Sequence, residues 1–131
     1  MKKLLLIFTL LFSVMFSSTS WAEWKLIVTS VNGNNIYVEP DTIKKVGNLS
    51  YFWRLFDYVK PNEYGDLSSE AYIEVDCKNL NYRFLSTKFY TSPLGKGEPS
   101  SVDTKPDKDW RIIVKDSIAY IAHNFVCNYK K

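Results

Sequence analysis

Residues 70–90 read EAYIEVDCKNLNYRFLSTKFY, and the first part of this stretch alternates with a period of two. Ala71, Ile73, Val75 and Cys77 form one row while Tyr72, Glu74 and Asp76 form the other, so Ser68 to Cys77 reads as a strand whose first row faces a core. Asn79-Leu80-Asn81 is turn chemistry, and Tyr82 to Tyr90 returns as the next strand of a hairpin. Cys77 closes the inward row. Whether its thiol is a nucleophile, a metal ligand or half of a disulfide depends on the compartment.

The chain opens MKKLLLIFTLLFSVMFSSTSWAEW: two lysines, an apolar run from Leu4 to Met15, then small residues ending at Ser20-Trp21-Ala22. This is the three-region pattern of a secretory signal peptide, with cleavage expected after Ala22. The apolar run falls short of the roughly 20 residues a spanning helix needs. Residues 1–22 are therefore set aside as a signal peptide, and residues 23–131 are read as a single domain, close to the usual domain size. No cysteine stands near the cleavage site to carry a lipid. The expected product is exported, periplasmic or secreted, not lipid-anchored, and without an integral membrane segment after cleavage.

Export decides the cysteine question. Cys77 and Cys127 both survive processing, and an even count in an exported chain implies a disulfide. A catalytic thiol would want a histidine partner, and the single His123 lies near Cys127 in sequence rather than near Cys77. A zinc site would need four ligands, more than two cysteines and one histidine supply. Closing the loop between the cysteines is worth about 4 kcal/mol in the chain-entropy account. That is a large share of a small domain's stability.

Working outward, Trp24 to Thr29 alternates Trp24, Leu26 and Val28 against Lys25 and Thr29, and Asn32-Gly33-Asn34-Asn35 turns the chain into a strand from Ile36 to Glu39. Pro40-Asp41 breaks the pattern, with Asp41 placed to cap one short turn through Lys45. Val46-Gly47-Asn48 marks a reversal, and Leu49 to Val59, LSYFWRLFDYV, reads as a central strand. Thr91 to Asp109 is a long polar segment, and Trp110 to Val114 is a last short strand. From Asp116-Ser117 the period changes: Ile118, Ile121, Ala122 and Phe125 share a helical face, and Cys127 sits near the helix end. Strands first and one helix last predict an α+β fold, with the disulfide clamping the C-terminal helix onto the sheet.

The signal peptide supplies part of the basic balance. Without Lys2 and Lys3 the 17 basic residues become 15 against 14 acidic ones, a net charge of +1. Nucleic acid is therefore not the expected partner, because phosphate binding needs clustered Lys and Arg. No catalytic residue, cofactor site or metal site is expected either: no serine triad can be assembled around His123, which is read as partly exposed or hydrogen-bonded, and no Gly-rich phosphate loop follows a strand.

Aromatic content is the more informative feature. In Leu49 to Val59, Tyr51, Trp53 and Leu55 form one row and Phe52, Phe56 and Tyr58 the other, yet one helix covers only one face of a sheet. The second face is then covered by the 91–109 segment or forms a surface for a protein partner, which could be a second copy of this chain in a homodimer. Phe52, Phe56, Tyr58 and Tyr72 are the residues named for that partner-binding face.

The run Ser69-Glu70-Ala71-Tyr72-Ile73-Glu74-Val75-Asp76-Cys77, then Leu85, Thr87, Phe89-Tyr90, Gly95-x-Gly97, Trp110, Asp116-Ser117, Tyr120, Ala122 and Val126-Cys127-Asn128-Tyr129 resemble the surface-adhesin protein E family of exported bacterial proteins. Weaker agreement reaches back to Trp24, Ile36-Tyr37-Val38, Pro61 and Tyr64. The resemblance implies an antiparallel sheet of about six strands with a C-terminal helix tethered by the disulfide. It also implies a non-enzymatic module that binds host matrix or serum proteins. The alternative is a periplasmic envelope accessory protein with no adhesive role. The family's named adhesin is a lipoprotein, and this signal sequence lacks the cysteine that would carry the lipid. The loop Lys60 to Asp66 sets Lys60 against Glu63 and Asp66 rather than forming a basic patch, so no adhesive residue is carried over.

Overall fold

In the computed structural model, residues 23–130 are described, and the signal peptide expected over residues 1–22 lies outside the described residues. The strands are β1 (Lys25–Thr29), β2 (Asn35–Val38), β3 (Lys44–Val46), β4 (Leu49–Asp57), β5 (Ser68–Asp76), β6 (Asn81–Tyr90), β7 (Ser101–Asp103) and β8 (Arg111–Ile112), followed by helix α1 (Ile118–Asn128). Every pairing is antiparallel, and six strands run in the order β1-β2-β4-β5-β6-β7. The remaining two sit beside that path: β3 pairs with β4, and β8 with β6. The α+β architecture is as the sequence predicts, with eight strands among the described residues in place of about six.

The central trio β4, β5 and β6 holds the hydrophobic centre, and each outer edge of the trio is shared by two short strands. β2 takes the Arg54–Asp57 half of β4 and β3 the Leu49–Tyr51 half, while β7 and β8 divide β6 in the same way. β3 lies where the sequence suggested a turn running to Lys45; the turn itself is a 3-10 segment, Pro40–Thr42. β7 lies within the polar 91–109 segment. Both strands are exposed along their whole length, so the free N–H and C=O groups of the neighbouring edge specify them rather than any apolar period of their own.

Register decides which row is buried. Phe52 pairs with Ile73 and Ser50 with Val75, placing the even-numbered residues of β4 on the same face as the Ala71, Ile73 and Val75 row. Phe52 and that row meet Val38, Ile43, Ile113 and, from α1, Val126 in the core. Each fully buried Phe, Ile or Val among them contributes about 1.5–3 kcal/mol by leaving water. In β1 a bulge between Leu26 and Val28 shifts the expected alternation. Leu26 is consequently 50% exposed, whereas Ile27 packs on the core.

The helix starts where the sequence says it should. Ser117 is the N-cap, its Oγ accepting from the Tyr120 backbone N–H at 3.1 Å. Its rotation differs in part from expectation: Ala122 is buried and Phe125 packs on the core as expected, but Ile121 is 44% exposed and His123 and Val126 are buried instead. The cause is covalent. Cys127 is joined to Cys77 with Cα atoms 5.8 Å apart, and the helical positions one turn before Cys127 turn towards the sheet with it. Lys45 in β3 donates from Nζ to the Cys127 carbonyl at 2.9 Å, satisfying one of the open carbonyls at the helix end.

Candidate binding face of the sheet

Because α1 takes the face carrying the even-numbered residues of β4, the four residues expected on one partner surface are divided. Phe52 is fully buried, its ring 5.8 Å from that of His123 in an edge-on contact. It belongs to the core and is unavailable to a partner. Phe56 and Tyr58, with ring centroids 4.9 Å apart, are half-buried and follow Phe52 in its row on the helix side of the sheet. Tyr72 points the other way. The expected row alternation in β4 is correct, but which row meets the helix depends on the β4–β5 register, and no local pattern in the sequence reports it.

The helix-free face is built around Tyr72. Its ring lies 5.1 Å from Trp53 and 6.3 Å from Tyr51, and the Lys88 ammonium sits 5.5 Å above the Trp53 ring. Alternation in β4 and β5 brings these aromatics to one side, where all three are half-exposed. Flanking them is a polar anchor. Glu74, only 6% exposed, accepts from Tyr51 Oη at 2.6 Å and from Arg83 Nε at 2.6 Å, and the Arg83 guanidinium lies 4.8 Å from the centre of the Trp110 ring. The hydrogen bond to Glu74, more than burial, raises the Tyr51 pKa above its ordinary value. Two charge-assisted bonds hold the face rigid at this end.

At the other end the polar segment does provide cover. The 3-10 turn Pro93–Gly95 is held by Leu94 N–H donating to Asp57 Oδ1 at 2.8 Å and Gly95 N–H donating to Ser68 Oγ at 2.9 Å. It sits over Leu55, which is fully buried. Between this turn, Trp24, Tyr37 and Glu70 lies an open cleft of about 900 Å³, at the upper end of the usual ligand-site range. Burial raises the Glu70 carboxyl pKa. Tyr90 Oη donates to Glu70 at 3.2 Å, and burial, reinforced by that carboxylate, pushes the phenol up to about 12. The two expectations for this face therefore divide it, with loop cover over Leu55 and open aromatic surface at Tyr51, Trp53 and Tyr72.

Trp24, Tyr37 and Trp53 were not among the expected surface residues; the signal for Trp53 was its place in the odd-numbered row of β4. His123, expected to be partly exposed or hydrogen-bonded, is 2% exposed and both its ring nitrogens lack a partner among the described residues. In the Lys60–Asp66 loop, Asp66 is buried and accepts from Ser100 Oγ at 2.7 Å, so its acid ties the loop to the 91–109 segment just before β7. No group of three His, Cys, Asp or Glu side chains among the described residues could hold a metal ion.

The sheet is locked by a disulfide to one helix, and its other face carries half-exposed aromatics beside a cleft. The chain belongs to the Surface-adhesin protein E family, which it matches over residues 24–128. Crystal form II of Haemophilus influenzae protein E is similar with a TM-score of 0.61 at 20% identity, over 83% of this chain and 90% of that one. A second Haemophilus influenzae protein E structure gives 0.59 at 20% identity, over 83% and 86%. Protein E from non-typeable Haemophilus influenzae gives 0.55 at 20% identity, over 85% and 78%. At this identity the likeness to the solved structures shows the fold. No curated protein matches the sequence significantly. No helix among the described residues is long and apolar enough to cross a membrane.

Proposed function

We propose that this chain, exported after removal of residues 1–22, is a non-enzymatic binding module whose single domain, residues 23–131, engages a protein partner through the helix-free face. The observation that carries the reading is the Tyr51, Tyr72 and Trp53 cluster, half-exposed and braced by Glu74 and Arg83. Aromatic residues held rigid bring large contact area at small entropic cost and are the usual anchors of protein interfaces. Membership of a surface-adhesin family supports a protein partner, either a host matrix or serum protein or a component of the bacterial envelope. The lack of a lipid-carrying cysteine at the expected cleavage site favours a periplasmic or secreted product, and with it the second reading of an envelope accessory protein.

The test is capture from matrix proteins and from an envelope extract, run in parallel with wild type, Trp53→Ser/Tyr72→Ser and Phe56→Ser. The double variant should lose the captured protein and Phe56→Ser should keep it. Equal capture by all three would overturn the assignment of the face. Sedimentation of the same proteins tests the homodimer: association that disappears in the double variant would make the partner a second copy of this chain.

A further inference from the structure

On the helix side of the sheet, away from the aromatic face, Arg54 projects from the middle of β4 among aromatic rings. Its guanidinium carbon lies 5.7 Å from the centre of the Phe56 ring and 5.2 Å from that of Phe84. Its Nε is fully buried with no hydrogen-bond partner among the described residues. The ion pairs among the described residues are Arg83 with Glu74, on the opposite face, and Arg111 with Asp107, and Arg54 belongs to neither. Burial lowers its pKa below the ordinary arginine value; Arg111 pushes the same way, and Tyr82 and Tyr58 oppose it. Stacking on rings satisfies the faces of a guanidinium, whereas its N–H edges still call for an acceptor.

The arginine opens into a cleft of about 310 Å³ whose walls include Tyr58, Phe84 and Phe89. A second guanidinium, that of Arg111, lies 4.9 Å from the centre of the same Phe84 ring. We propose that this cleft binds a small organic monocarboxylate, its oxygens received by the Arg54 and Arg111 guanidiniums and its apolar body by the aromatic walls. Guanidinium geometry suits a planar carboxylate, which can accept two parallel N–H bonds. Charge selects a monoanion. Arg54, Lys105 and Arg111 line the cleft together with Asp103 and Asp107, leaving a surplus of one positive charge, so a doubly charged phosphate would meet the two aspartates without a matching cation. The volume, at the lower limit of ligand sites, selects a small molecule.

The probe is benzoate, titrated into the chain from Glu23 onward, which carries every element described, and followed by amide chemical shifts of Phe84 and Thr87. Saturable shifts are expected, with inorganic phosphate binding about tenfold more weakly or less. Arg54→Met keeps the length of the side chain and removes a charge without an ionic partner, so the variant should fold and lose benzoate affinity by about tenfold or more. Arg111→Gln, at an exposed position, should weaken benzoate binding while leaving the fold intact. Failure of benzoate to saturate in wild type, undiminished binding in folded Arg54→Met or in Arg111→Gln, or phosphate binding as tightly as benzoate would each overturn the proposal.

Discussion

The ring of His123 lies 4.6 Å from that of Tyr82, and the imidazole is buried between Tyr82 and Phe52 with no hydrogen bond to either nitrogen among the described residues. Burial first, and the Arg54 charge second, push its pKa down to about 3 from the ordinary 6.5. The folded protein thus keeps His123 neutral while the unfolded chain takes up a proton below pH 6.5. Between those two values the unfolded state binds the extra proton, so stability falls as pH falls, by about 1.4 kcal/mol per pH unit. At pH 4.5 the loss should reach about 2–3 kcal/mol. Glu70, whose pKa burial raises, acts in the opposite direction. His123→Leu isolates the histidine: urea unfolding at pH 7 and pH 4.5 should show a much smaller acid loss than in wild type, and an unchanged pH profile would contradict the assignment.

Reduction of the Cys77–Cys127 bond, whose partners stand 50 residues apart, should cost about 4 kcal/mol. For a domain of this size that lowers Tm by roughly 15 °C or more. Cys77→Ser/Cys127→Ser should behave alike. Because the same bond sets the rotation of α1, amide exchange of Ala122 and Val126 should accelerate beyond the exchange of Ile73. A small shift in Tm, or protection lost evenly across sheet and helix, would mean the bond does not organise the helix.

How far the sequence was legible follows from the range over which each feature is specified. The row of Ala71, Ile73, Val75 and Cys77 is local, and a period of two reports it directly. The Ser117 cap and the start of α1 are equally local. The choice of Phe52 over Tyr51 and Trp53 as the core row is not, because it depends on pairing Phe52 with Ile73 across the 58–67 loop. The helix rotation is likewise set by a bond to a distant strand, so that of the expected stripe Ala122 and Phe125 meet the core while Ile121 is turned out. β3 and β7 exist because β4 and β6 have open edges, and their exposed residues bear no apolar row to announce them. Arg54 was hidden inside an apolar strand, where only tertiary structure shows that its charge has no ionic partner among the described residues.

The Glu74 anchor predicts a measurable coupling. Arg83→Met leaves the Glu74 carboxylate, 6% exposed, with Tyr51 as its remaining donor and should cost about 1–3 kcal/mol. Tyr51→Phe should cost about 1–2 kcal/mol by the same reasoning. In a Glu74→Gln background both penalties should shrink, because the charge being satisfied is gone. Urea unfolding of the full set gives the coupling energies, and strict additivity of Arg83→Met with Glu74→Gln would show that the 2.6 Å contact does not stabilise the fold.

Gly95 predicts a link between one backbone conformation and the shape of the cleft. Its φ is +62°, in the left-handed region, and a Cβ there would come within 2.5 Å of Glu70 Oε1 and 3.4 Å of Leu55 Cδ1. Gly95→Ala therefore incurs the left-handed penalty of about 1–2 kcal/mol and forces the Glu70 carboxylate to move. That carboxylate is the acceptor for Tyr90 Oη, so the phenol should lose its partner and titrate lower than in wild type, where it is pushed up to about 12. Spectrophotometric titration of the tyrosines checks the second effect and thermal unfolding the first. A fall in Tm with no change in the tyrosine titration would mean the turn is strained but Glu70 stays in place; a change in both would show that the Pro93–Gly95 turn and the cleft wall form one unit.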